Sequence, residues 1–177
     1  MLQLFEDLLD PDYAKTIEKT MLSNAFPYYF FADIDYGKGN DVYNFGFSHT
    51  FVDQFAESRS DFLELVLPVA FAIGDALDLK LTQLIRIRGV MLTPIGIGYN
   101  HVRHTDLASD PDSLTAVYYV NDSDGATTIY NGEDVVSVNP KQNSAVVFDT
   151  HMEHHGAKPV KTASRVVLNI NFRGEPQ

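Results

Sequence analysis

Two histidines and an aspartate crowd into NHVRHTDLA (100–108), directly after the glycine-containing run TPIGIGY (93–99). If 100–106 is extended, side chains alternate and His104 and Asp106 project to one side, two positions apart. A neutral imidazole and a carboxylate so placed can supply two ligands to one metal ion. His101, three positions from His104, points away from that pair unless the chain bends, so exposure is its expected state. A third ligand must come from elsewhere. Five of the six histidines lie in two windows, 101–104 and 151–155, so DTHMEHHGAKP (149–159) is the natural source. Two histidines and one carboxylate on one face of a metal leave positions open for other ligands, the arrangement of non-haem Fe(II) oxygenases. With no cysteine in the chain, thiolate zinc sites and iron–sulfur clusters are excluded, and any metal takes nitrogen and oxygen ligands.

The elements that must position these groups follow from pattern. Asp10 and Pro11 read as the N-cap and first turn of a helix over 11–22. A second helix is expected over 60–79, apolar almost all round and therefore buried, with Pro68 as its kink or its true start. Aromatic-rich 26–34 and 42–51 read as strands. After residue 80 come six strand candidates, LTQLIRIRGVML (81–92), SLTAVYYVN (113–121), GATTIYN (125–131), DVVSV (134–138), SAVVF (144–148) and SRVVLNINF (164–172), with DSDG and NGED as tight turns. Short strands behind a helical first half predict an α+β chain, a sandwich, jelly roll or barrel with the helices packed on one face of the β-structure.

In the last strand Val166, Leu168, Ile170 and Phe172 share an apolar face, while Arg165, Val167, Asn169 and Asn171 share the other. That second face looks either into water or into a polar cavity. Arg86 and Arg88 also share a strand face, where a solvated edge is expected. His49 sits among Phe45, Phe47 and Phe51 and is expected in the core. GIGY (96–99) lacks the strand–turn–helix context of a phosphate cradle.

A chain of 177 residues with 45% hydrophobic content suits one globular domain. It divides into a helical and strand segment, 1–80, that supports a jelly-roll core at about 81–173. A formal charge of −11 argues against nucleic acid as a partner. No apolar run is long enough for a membrane span, and the acidic start MLQLFEDLLDPD is unlike a secretory signal, so cytoplasmic residence is expected.

Four stretches, HTD (104–106), VYYVNDSDG (117–125), VVFDTHMEHHGAKP (146–159) and RVVLNINF (165–172), resemble the Fe(II)/2-oxoglutarate-dependent dioxygenases. The likeness is to the prolyl-4-hydroxylase-like branch and its small bacterial and viral relatives, and runs from about Arg86 to Phe172. FPYYFF (26–31) and FGFSHTF (45–51) are similar to those relatives in a less specific way. The resemblance implies a double-stranded β-helix with Fe(II), 2-oxoglutarate and O2, ascorbate being supportive. His104 and Asp106 match two metal ligands. His154 is the preferred third, opening a His-X-Gly pattern, with His155 as the alternative. Arg165 matches the residue that binds the distal carboxylate of 2-oxoglutarate, where a planar guanidinium fork suits bidentate recognition. Tyr119 matches a phenol that hydrogen-bonds the same group. The implied activity is hydroxylation of a peptidyl prolyl residue or another peptide or small-molecule C–H substrate, releasing succinate and CO2. The competing expectations are a non-catalytic jelly-roll protein that binds metal or ligand, and a cupin-like metalloenzyme that works without 2-oxoglutarate.

Overall fold

The computed structural model describes residues 1–35, 41–107, 110 and 112–177. Along the chain run β1 (Leu2–Phe5), α1 (Pro11–Met21), β2 (Tyr29–Phe31), β3 (Gly46–Val52), α2 (Leu63–Ala76), β4 (Leu79–Leu92), β5 (Tyr99–Asn100), β6 (Leu114–Tyr119), β7 (Thr127–Asn131), β8 (Asp134–Val138), β9 (Ser144–Asp149), β10 (Glu153–Lys158) and β11 (Arg165–Pro176). They form a seven-stranded sheet of order β1-β9-β6-β11-β4-β3-β2 and a four-stranded sheet of order β5-β10-β7-β8. Neighbouring strands pair antiparallel throughout both sheets.

α1 begins where the sequence places it. The Asp10 carboxylate accepts from the backbone N–H groups of Asp12 and Tyr13 at 3.0 and 3.2 Å, satisfying donors that the first helical turn leaves open. α2 is shorter than expected and starts at Leu63, so Pro68 lies inside it rather than at its start. Both helices cover one face of the large sheet. Ile17, Met21, Val66, Val69 and Ile73 join Val166, Leu168, Ile170 and Phe172 in one buried cluster. The alternation read from the last strand therefore holds, and its apolar face is the one beneath the helices.

The opposite face of the large sheet looks toward the small sheet across a second apolar cluster that includes Val90, Val117, Tyr119, Ile129 and Val167. The N-terminal segment does more than support this core, because β1, β2 and β3 supply three of the seven strands of the large sheet. Besides the two-residue β5, two strands escape sequence pattern. β1 pairs with β9, and β10, of sequence EHHGAK, pairs with β7 and β5. Neither carries a run of β-branched residues that would mark it.

Leu168 is fully buried between the helices and the sheet. Leu168→Ala is expected to cost roughly 2–5 kcal/mol of stability, the range for removing a buried leucine side chain. Urea unfolding followed by circular dichroism measures it; a loss well under that range would mean that the helical layer is not packed on β11 as described.

Candidate metal centre and anion pocket

His104 and His154 are fifty positions apart, yet they form an isolated antiparallel bridge. The His104 N–H donates to the His154 carbonyl at 3.0 Å and the His154 N–H donates to the His104 carbonyl at 2.8 Å. Residues directly opposite in an antiparallel pair project to the same face. The two imidazole centroids consequently lie 4.6 Å apart. Asp106, two positions on, joins them, and one ligand atom from each of the three residues lies within 4.8 Å of the others.

The hydrogen bonds select which nitrogens are offered. Nδ1 of His104 lies 2.8 Å from the Val102 carbonyl, and Nδ1 of His154 lies 3.1 Å from the Met152 carbonyl. A carbonyl only accepts, so Nδ1 carries the proton in both rings, and in the neutral imidazole that leaves the lone pair on Nε2. Two imidazole nitrogens and a carboxylate oxygen, with the tautomers already set, fit a divalent transition metal such as Fe(II).

Asp106 is held by several partners, its side chain being 6% exposed. Asn171 Nδ2 donates to Oδ2 at 3.0 Å and Thr115 Oγ1 donates to the same oxygen at 3.3 Å, while Arg86 Nη2 stands 3.0 Å from Oδ1. Burial alone would raise the Asp106 carboxyl, but His154, Arg86 and Asn171 outweigh it and hold the group well below the usual carboxylate range. Burial also pushes the His154 imidazole below its ordinary value, against the pull of Asp106. Around neutral pH the set is thus an ionised carboxylate and a neutral His154, with Arg86 the lasting positive charge beside the carboxylate.

A cavity of about 300 Å³ opens onto this triad and is lined by Arg165, Thr127, Gly156, Arg88, His101 and Asp35 among others. Arg165 is 4% exposed; its Nε donates to the Gly125 carbonyl and its Nη2 to Thr127 Oγ1, both at 2.7 Å. Among the described residues no carboxylate pairs with it. A Cβ at Gly156 would lie 3.2–3.3 Å from the guanidinium atoms, and one at Gly125 would lie 3.0 Å from Arg165 Cδ, so the bare backbones of both glycines make room for the Arg165 side chain. Tyr119 is fully buried in the cluster behind the cavity wall. Among the described residues its hydroxyl has no hydrogen-bond partner of good geometry, although Arg165 and Thr127 are close enough to influence it electrostatically.

Several expectations change. His155 points to the opposite face of β10, where its ring lies 5.8 Å from that of Tyr130, and it takes no part in the triad. His101 is buried rather than exposed and lines the same cavity as His104, because 101–103 leave the strand and break the alternation. Its Nδ1 lies 2.7 Å from Asn44 Oδ1 and 3.3 Å from Asp35 Oδ2. Arg86 and Arg88 form no solvated edge: both line the cavity, and Arg88 is 7% exposed with Nε on Ser48 Oγ at 3.2 Å. His49 is a core histidine, bonded to the Pro27 carbonyl and Ser60 Oγ, and His151 is exposed. Asp35 and Thr115 escape sequence reasoning entirely. Asn171 was legible only as one amide on the polar face of the last strand.

Comparison with known proteins gives a consistent picture. Residues 90–173 match the family model of the 2OG-Fe(II) oxygenase superfamily. No curated protein sequence matches the chain. Among solved structures, a prolyl hydroxylase from Trichoplax adhaerens, in complex with a peptide fragment of the hypoxia inducible factor oxygen degradation domain, is similar at a TM-score of 0.69 and 14% identity, over 97% of this chain and 83% of that one. A Pseudomonas putida prolyl-4-hydroxylase is similar at a TM-score of 0.65 and 18% identity, over 98% and 92%. HygX from Streptomyces hygroscopicus, with nickel and 2-oxoglutarate bound, is similar at 0.64 and 9% identity, over 99% and 83%. These likenesses establish the double-stranded β-helix fold. Residues 90–173 thus match the 2OG-Fe(II) oxygenase superfamily in sequence, and the whole chain shares the fold of these solved structures.

Proposed function

We propose that His104, Asp106 and His154 hold Fe(II), that Arg165 binds the distal carboxylate of 2-oxoglutarate with Tyr119 beside it, and that the enzyme hydroxylates a peptidyl prolyl residue or another small C–H substrate. The observation that carries this reading is Arg165. A guanidinium so deeply buried, satisfied among the described residues only by a carbonyl and a hydroxyl, is costly unless an anion joins it. It lines the same cavity as the triad, so a short dicarboxylate can reach both. This disfavours a cupin-like metalloenzyme, which has no use for such a cation.

In the net reaction 2-oxoglutarate, O2 and R–H become succinate, CO2 and R–OH. Bound Fe(II) would supply the O2 activation that couples the decarboxylation to the hydroxylation. The chain's own groups prepare the site. Arg165 fixes the far end of the cosubstrate through charge-assisted hydrogen bonds. The Val102 and Met152 carbonyls aim the imidazoles, while Asn171, Thr115 and Arg86 keep Asp106 ionised and oriented. The apolar walls, Val90, Val117 and Val167, limit water around the reacting groups. A peptide substrate is consistent with the peptide held by the Trichoplax adhaerens enzyme, and the acidic chain suits a neutral or basic sequence.

Purified protein supplied with Fe(II), ascorbate and labelled 2-oxoglutarate is expected to release succinate slowly even without a prime substrate. His154→Ala is expected to abolish this release and His155→Ala to retain it; the reverse pattern would move the third ligand to His155. Arg165→Ala is expected to weaken 2-oxoglutarate binding by roughly 30-fold or more, the equivalent of losing about 2 kcal/mol from a buried charged contact. Calorimetric titration of the Fe(II)- or Ni(II)-loaded protein under anaerobic conditions reads this directly, and unchanged affinity would remove Arg165 from its assigned role.

A further inference from the structure

Arg86 and Asn171 sit directly opposite each other on β4 and β11, at the last regular pair before a register shift. Their side chains, with those of Asp106 and Thr115, close a hydrogen-bonded ring. Arg86 Nε donates to Asn171 Oδ1 at 2.9 Å, which fixes the amide so that its Nδ2 faces Asp106 Oδ2 at 3.0 Å and Thr115 Oγ1 at 2.9 Å. The remaining arm of Arg86, Nη2, reaches Asp106 Oδ1 at 3.0 Å. The two carboxylate oxygens are therefore held by different partners. Oδ2 belongs to the two neutral donors, whereas Oδ1, the oxygen 4.0 Å from His104 Nε2, belongs to Arg86.

We propose that Arg86 is the positioning residue of the metal centre: by gripping Oδ1 directly and Oδ2 through Asn171, it presets the Asp106 carboxylate toward the two imidazoles. The inference rests on the ligand assignment above and adds to it a cation whose contacts are with Asp106 and Asn171. The side chain is suited to the task in a way that lysine is not. A guanidinium offers Nε and Nη2 in one rigid plane, so it can hold the amide and the carboxylate at once, whereas an ammonium has a single donor centre on a flexible stem. The ring has two further effects. It supplies a charge partner for a carboxylate whose side chain is almost wholly buried, so Asp106 is not left as an unpaired buried anion before metal arrives. It also prevents the carboxylate from rotating, so little ordering remains to be done on ligation.

Removal of a partner that orients a metal ligand typically weakens metal binding by about 10- to 100-fold. The test is anaerobic titration of the full chain with Co(II), followed through its visible absorption, for wild type, Arg86→Met, Arg86→Lys and His104→Ala, with thermal unfolding of each apo protein as the control for folding. Arg86→Met is expected to bind Co(II) more weakly by that factor and with an altered absorption band. Arg86→Lys is expected to recover part of the affinity, and His104→Ala to bind least. Equal Co(II) affinity and an identical band in wild type and Arg86→Met would overturn the role of Arg86 while leaving the metal assignment standing. Failure of the wild type to bind Co(II), or equal binding by His104→Ala, would instead strike the ligand assignment itself. Should Arg86→Met fail to fold, the Arg86→Lys titration and its band decide: a wild-type band at wild-type affinity there overturns the need for the two-armed grip.

Discussion

The reciprocal backbone hydrogen bonds between His104 and His154 are the constraint on which the site depends. Side chains fifty positions apart in sequence cannot be held within a few ångströms by their own contacts, since each long side chain costs rotamer entropy to order. Here the main chain meets that cost as part of sheet formation. Once 104 and 154 are paired, the pleat sends both rings to the same face, and Asp106 follows by alternation. The small sheet thus brings the imidazoles together, while the large sheet contributes Arg86, Thr115 and Asn171 to hold the carboxylate that completes the set. Neither sheet alone contains the site.

The second theme is charge inside an apolar frame. The cavity holds the cation of Arg165, the anion of Asp106 and the cations of Arg86 and Arg88 against walls of valine and leucine. Isolated charges in such surroundings are expensive, and the structure treats them differently. Asp106 receives a full complement of protein partners. Arg165 receives, among the described residues, only neutral ones. That asymmetry, more than the cavity's shape, is the basis of the cosubstrate role proposed for Arg165.

Much of this was legible in the sequence. The alternation of Arg165, Val167, Asn169 and Asn171 against Val166, Leu168, Ile170 and Phe172 placed one face under the helices, and the His104–Asp106 spacing placed two candidate ligands side by side. The losses have physical causes. β10 carries two histidines, a glycine and a lysine, so no pattern announced it as a strand, and the choice between His154 and His155 waited on its pairing with β7. Strict alternation also turned His101 outward, because a local break at 101–103 leaves no compositional trace. Arg86 and Arg88 looked like a wet edge since arginine usually marks one, and only the placement of β3 and β11 on either side of β4 shows them enclosed. Asp35 stood in a segment with no partner visible until the chain folded onto His101.

The donation from each imidazole Nδ1 to the carbonyl two residues upstream has a wider bearing. Because peptide oxygens fix the rings, the choice of nitrogen does not depend on the side chains at 102 and 152, although Met152 also packs in the apolar cluster between the sheets. The centre is thus robust to exchange of its nearest sequence neighbours and fragile to any change in the path of the chain, such as a proline at 103 or 153. Selection on such a centre would bear on how the polypeptide is routed more than on which side chain stands above each carbonyl.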